Sequence, residues 1–225
     1  MINIGLITIG QSPRYDIILD FKENLPNNIY FDETGLLDNF SEDFIIHNLS
    51  PNKNETLYVT RLRNGKEVYV SKEKLINLLQ NKIEEFQFKN LNVIVILCSG
   101  EFPEFESNIF LIYPDKIMKN ILTSFDFSKL AVLIPSDQQI NYAKERWKRY
   151  ANDVIIFDIS PYTSHDENFV YIGKKLQNEG IECVVMDCIG YTLKQKYIIR
   201  KVMGETIPII NTRSIIINVI KELFY

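Results

Sequence analysis

The sequence predicts an α/β protein of two pseudo-symmetric lobes with mainly parallel sheets, similar in design to one another, plus a β-hairpin insertion in the first. Three observations carry that expectation. An apolar run ending in cysteine, one further residue and then glycine occurs twice, as Val93-Ile94-Val95-Ile96-Leu97-Cys98-Ser99-Gly100 and as Val184-Val185-Met186-Asp187-Cys188-Ile189-Gly190. Continuous apolar runs of this length read as strands buried on both faces, which belong to parallel sheets. Around them, strand-like and helix-like segments alternate at the spacing of βα units. Finally, Asn64-Gly65 sits between two alternating runs, the short-range signature of a hairpin.

In chain order, Asn3 to Ile9 is a strand stopped by Gly10, and Ser12-Pro13 reads as a helix cap followed by proline at the first helical position, opening a helix to about Asn24. Residues 30 to 55 are less regular, with Ser41 capping a short helix. Thr56 to Arg63 and Lys66 to Val70 flank Asn64-Gly65, whose spacing predicts a type I′ turn with positive φ at both positions. This hairpin is expected to stand clear of the central sheet, as a lid or a homodimer contact. Lys72 to Phe88 is a helix with Leu75, Leu78, Leu79, Ile83 and Phe86 on one stripe. After the first cysteine strand come a strand at Ile109 to Tyr113 and a helix at Pro114 to Leu122. Lys129 to Ile134 and Val154 to Asp158 are strands, Ser136 caps the helix between them, and a helix from Asn168 to Glu179 closes at Gly180. Beyond the second cysteine strand lie a helix near Leu193 to Met203, a strand at Ile207 to Ile210 and a last helix from Ser214 to Phe224. The expected division is 1–122 for the first lobe with its insert at about 56–70, 123–205 for the second, and 206–225 returning to the first.

Composition narrows the function. The chain of 225 residues has a net charge of -4, 46% hydrophobic and 24% charged residues, which gives no basic footprint for nucleic acid. Three cysteines and two histidines without CxxC or HxxxH spacing argue against a structural zinc and against a disulfide framework. No run approaches the roughly 20 apolar residues of a membrane span and no leader pattern is present, so a cytoplasmic protein without metal or cofactor is expected.

In open α/β sheets, ligands and chemistry collect at the carboxyl ends of the strands. That rule makes Cys98 and Cys188 the candidate catalytic residues. The candidate binding set is Thr8, Gln11, Ser12 and Arg14 after the first strand, Ser99 and Gly100 after Cys98, Ser136 in the second lobe, and Ile189, Gly190 and Tyr191 after Cys188. Backbone amides and a helix N-terminus at Gln11 to Arg14 would favour an anion such as a substrate carboxylate. Strand alternation sets Cys183 on the opposite face from Cys188, as core packing. Asp187 reads equally as a carboxylate capping its loop or as a catalytic group, and Arg213 as a cation supplied to the site or, more often, a merely exposed residue. A phosphate site at Gly10-Gln11-Ser12 is disfavoured by the lack of a Walker lysine or GxGxxG.

Leu6-Ile7-Thr8-Ile9-Gly10-Gln11-Ser12-Pro13-Arg14, Tyr58-Val59-Thr60-Arg61-Leu62-Arg63-Asn64-Gly65 and Met186-Asp187-Cys188-Ile189-Gly190-Tyr191 together resemble the AroM family over nearly the whole chain. That family looks like a branch of the aspartate/glutamate racemase superfamily. The resemblance implies two α/β lobes with a site between them, and a cysteine from each lobe, here Cys98 and Cys188, serving as a cofactor-independent pair of bases. Cys188-Ile189-Gly190 is similar to the Cys-Ala-Gly of hydantoin racemases. Amino-acid racemases follow the first cysteine with Asn-Thr and commonly the second with Thr-His, whereas this chain has Ser99-Gly100 and Ile189-Gly190.

The leading expectation is therefore a cofactor-independent racemase or isomerase acting on a small carboxylate-bearing molecule. A single competent cysteine would instead suit cis–trans isomerisation by reversible thiol addition. The alternative is a non-catalytic protein that closes on a metabolite. An ionised thiol separates the two classes, since only catalysis requires one.

Overall fold

The computed structural model describes residues 1–225 and divides into two compact units, Met1–Pro114 with Ile220–Tyr225, and Asp115–Val219. Each contains its own four-stranded sheet, so no sheet runs through the whole molecule. No helix is long and apolar enough to cross a membrane.

In the first unit β1 (Ile2–Thr8), α1 (Tyr15–Asn24), β2 (Ile29–Gly35) and a short α2 (Glu42–Phe44) come first, α2 passing into one π turn at Ile45–Leu49. The hairpin β3 (Leu57–Arg61) and β4 (Glu67–Ser71), α3 (Lys72–Gln87), β5 (Val93–Leu97) and β6 (Phe110–Ile112) follow. The sheet order is β2-β1-β5-β6 with every pair parallel. All five residues of β5 are buried, as its unbroken apolar run requires of an inner parallel strand.

The second unit runs α4 (Pro114–Leu122), β7 (Lys129–Ile134), a 3₁₀ turn at Asp137–Gln139, α5 (Ile140–Trp147), β8 (Asp153–Asp158), α6 (Asp166–Gln177), β9 (Cys183–Met186), α7 (Leu193–Met203), β10 (Ile209–Asn211) and α8 (Thr212–Phe224). Its order is β8-β7-β9-β10, again all parallel. The second strand of each unit is thus the outer neighbour of the first, and the cysteine strand lies on the first strand's other side. That shared order is the internal repeat expected from the sequence. One face of this sheet packs Leu133, Val184 and Met186 on Phe169, Leu176 and Ile199, and the other packs Val132, Ile134 and Val185 on Met118, Leu122 and Trp147.

Four local expectations are corrected. β2 is a strand where irregular chain was expected. Asp32, Glu33 and Thr34 are partly exposed because β2 is the sheet's edge, so its pattern lacks the apolar run of an inner strand. Second, the hairpin turn is not type I′. No residue other than glycine has positive φ, and Gly65 alone takes φ +90°. Gly65 N donates to Leu62 O and Leu62 N to Lys66 O at 2.9 and 2.8 Å, the pattern of a wider turn closed by a glycine bulge, which needs only one left-handed residue. Third, the hairpin forms its own two-stranded sheet but packs down on the strand ends, with Tyr58, Val59 and Thr60 buried.

Fourth, Ser12 does not cap α1, whose N-cap is Arg14 with no side-chain cap. The Ser12–Pro13 peptide is cis. Ser12 Oγ donates instead to Asp38 Oδ2 at 2.7 Å, and a hydrogen bond to a carboxylate is roughly twice as strong as a neutral one.

Candidate active site

Both cysteines stand just past a buried parallel strand and repeat one local geometry. In the first unit Gly100 N donates to Cys98 Sγ at 3.3 Å, and in the second Gly190 N donates to Cys188 Sγ at the same 3.3 Å. The Cys-x-Gly spacing has a cause: the chain must curl back within two residues to point an amide at its own sulfur. An N–H aimed at sulfur stabilises the charged form, while burial opposes it. Both thiols are buried, Cys98 at 7% and Cys188 at 6% exposure.

Each glycine is also covered by a tyrosine. A Cβ built on Gly100 would lie 2.3 Å from the Tyr58 ring, and one on Gly190 would lie 2.6 Å from the Tyr162 ring. Tyr58 comes from the hairpin and its hydroxyl donates to Glu101 O at 2.8 Å. Tyr162 follows β8, and its hydroxyl lies 3.9 Å from Cys188 Sγ. Neither tyrosine was singled out from the sequence. Gly190→Ala should force the Tyr162 ring off its seat and lower stability by about 1–3 kcal/mol, as overpacking does. Denaturant midpoints should show this loss, with Tyr162→Ala restoring most of it in the double variant.

The loop after β1 is cross-braced by carboxylates. Thr8 Oγ1 accepts from Gly10 N at 3.3 Å and from the Arg14 guanidinium at 3.2 Å. Arg14 is buried and pairs with both Asp16 oxygens at 2.9 Å, while its backbone N–H goes to Glu33 Oε1 at 2.6 Å. Burial pushes the Glu33 carboxyl up from its ordinary value, against the lowering pull of the Arg14 amide and guanidinium. Ser12 N donates to Asp38 Oδ1 at 2.7 Å. Gln11 spans Leu37 O and Phe40 O with its amide nitrogen and accepts from Arg63 N at 2.9 Å. The anion these donors hold is internal: Asp38, Glu33 and Asp16, which the sequence reading did not single out.

In the second unit Ser136 caps the 3₁₀ turn through Gln138 N at 3.3 Å and donates to Asp137. Asp187 turns away from the thiol and is neither exposed nor a loop cap: it accepts from Arg146 Nη1 at 2.9 Å and Trp147 Nε1 at 2.8 Å, wholly inside the fold. Asp115 on α4 shares this buried patch, and desolvation raises its carboxyl despite Lys119 and Arg146. Tyr191 is fully buried and its hydroxyl donates to Ile159 O at 2.7 Å, with burial holding the phenol well above its usual range. Arg213, expected at the surface, is fully buried and donates to Ile189 O and Gly190 O. Cys183 packs on the other face of the sheet from Cys188, and burial pushes its thiol up to about 12. No three His, Cys, Asp or Glu side chains converge to hold a metal ion.

Known structures share this fold. The chain matches a Nocardia farcinica maleate cis-trans isomerase with a TM-score of 0.63 at 12% identity, covering 99% of this chain and 92% of that one. Allantoin racemase from Klebsiella pneumoniae matches with a TM-score of 0.59 at 10% identity, over 99% and 87%. Picrophilus torridus aspartate racemase matches with 0.56 at 10% identity, over 99% and 94%. No curated protein is similar enough in sequence to match. The family profile described as AroM protein spans residues 4–224, nearly the full length, and the chain belongs to the AroM family.

Proposed function

We propose that this protein is a cofactor-independent racemase or epimerase of a small carboxylate, with Cys98 and Cys188 as its two acid–base groups. The observation that carries this reading is the repeat of the thiol geometry, each sulfur receiving the N–H of the glycine two residues on, in two units of the same strand order. A duplicated thiol suits a reaction that treats the two faces of one carbon alike. One cysteine, as thiolate, takes the proton from the carbon next to the carboxylate and becomes a thiol. The electron pair left on carbon is delocalised into the carboxylate. The other cysteine, as thiol, gives its proton to the opposite face and becomes the thiolate, so the next turnover runs in reverse. Holding the carbon between two groups replaces encounters that water would leave to chance. The substrate class fits the solved relatives, two of whose names carry the carboxylates maleate and aspartate.

The alternative, a metabolite-binding protein without catalysis, is favoured by the departures Ser99-Gly100 and Ile189-Gly190. Incubating the protein in heavy water with a panel of small amino, hydroxy and alkyl-substituted carboxylates, read by proton NMR, tests both. Loss of a carbon-bound proton signal in at least one acid is expected. Binding of an acid, seen as a thermal shift, with no exchange in any panel member would contradict the proposal and favour the alternative.

A further inference from the structure

We propose that Arg213 is a positioning residue for the Cys188 thiol, holding and polarising a peptide unit whose N–H is donated to that sulfur; this rests on Cys188 being a working thiol. The peptide joins Ile189 to Gly190. On its oxygen side, Arg213 Nε and Nη2 both donate to Ile189 O, at 3.1 and 3.0 Å. On its nitrogen side, Gly190 N donates to Cys188 Sγ at 3.3 Å. Guanidinium, peptide and sulfur therefore form one hydrogen-bonded chain with a fixed positive charge at its far end.

Hydrogen bonds in series polarise one another, strengthening each by about 10–30%. A positive charge on the carbonyl oxygen makes the N–H a better donor to a negative sulfur. Arg213 is fully buried and is the second residue of α8, the positive end of the helix dipole, where a cation is disfavoured.

The neighbours of Arg213 grip the same segment. Thr212 Oγ1 donates to Met186 O at 3.1 Å, Asn211 Nδ2 to Tyr191 O at 3.1 Å, and Arg213 Nη2 to Gly190 O at 3.0 Å. Asn211-Thr212-Arg213, at the junction of β10 and α8, thus holds four carbonyls of the turn that carries Cys188. Arg213 is the member that adds charge, and it acts on the peptide facing the sulfur.

The test is the pH profile of alkylation by iodoacetamide, read peptide by peptide by mass spectrometry on the full chain, with Cys98 in the same sample as reference. Arg213→Gln keeps hydrogen-bond donors and removes the charge. It should move the Cys188 inflection up by about one pH unit, so that the rate at neutral pH falls about tenfold, with Cys98 unmoved. Arg213→Lys should recover at least half of the shift. A folded Arg213→Gln protein with an unshifted Cys188 profile would overturn the role. If that variant does not fold, the wild-type protein decides: the Gly190 amide resonance should titrate with the Cys188 inflection, and a Gly190 signal that stays still through it would also overturn the role. Neither readout uses turnover, so a protein that passes here yet exchanges no carbon-bound proton would refute the proposed function and leave this role standing.

Discussion

Serine in place of Cys188 is expected to lower solvent exchange by roughly 10²–10⁴-fold, the range that one positioned acid–base group supplies. The side chain is 6% exposed and its sulfur already accepts an amide N–H, so the smaller hydroxyl fits the same space. What changes is ionisation, since a hydroxyl does not form the anion near neutral pH. Stability should therefore change little while the rate falls. The same loss at Cys98→Ser is expected of a two-thiol site. Cys183→Ser should leave the rate within about twofold, because a thiol pushed up to about 12 carries only about one thiolate in 10⁴ at pH 8.

The second large effect is on folding. Asp187→Ala should destabilise the protein by about 3–5 kcal/mol, the cost of removing one partner from a buried ion pair. Arg146 and Asp187 side chains are 3% and 6% exposed, so the guanidinium left behind has no route to water. The Trp147 indole N–H would lose its acceptor as well. At about 2–4 °C per kcal/mol for a chain of this size, calorimetry should show a clear fall in Tm. Replacing both partners by apolar residues of similar volume, Asp187→Leu with Arg146→Met, should cost much less. A normal Tm with abolished exchange in Asp187→Ala would instead assign the carboxylate to catalysis.

Some of this was legible in the sequence and some was not, for identifiable physical reasons. β5 and β9 were legible because an inner parallel strand must be apolar on both faces. β2 was not, because an edge strand tolerates Asp32, Glu33 and Thr34. Asn64-Gly65 located the hairpin, but only Gly65 needs positive φ, and a dipeptide does not reveal which. The cysteine-to-glycine spacing was legible as a motif, and its hydrogen bond follows from local backbone curvature. Its coverings did not follow: Tyr58 reaches Glu101 across 43 residues and Tyr162 reaches Cys188 across 26, and nothing local marks either. The donors at Gln11 to Arg14 were read as anion-seeking, and Asp38 and Glu33, brought in by the unforeseen β2 and its following turn, accept from Ser12 N and Arg14 N. Arg213 was placed at the surface because arginine usually is; four carbonyls in one turn leave no trace in composition.

The claim that two thiols serve opposite faces of one carbon is tested most directly by following one enantiomer of an exchanging acid into heavy water at early times. Two separate bases predict that the product enantiomer carries deuterium from the outset while the recovered starting enantiomer still carries hydrogen. Equal early deuterium in both enantiomers would mean a single base working from one face, and would contradict the account.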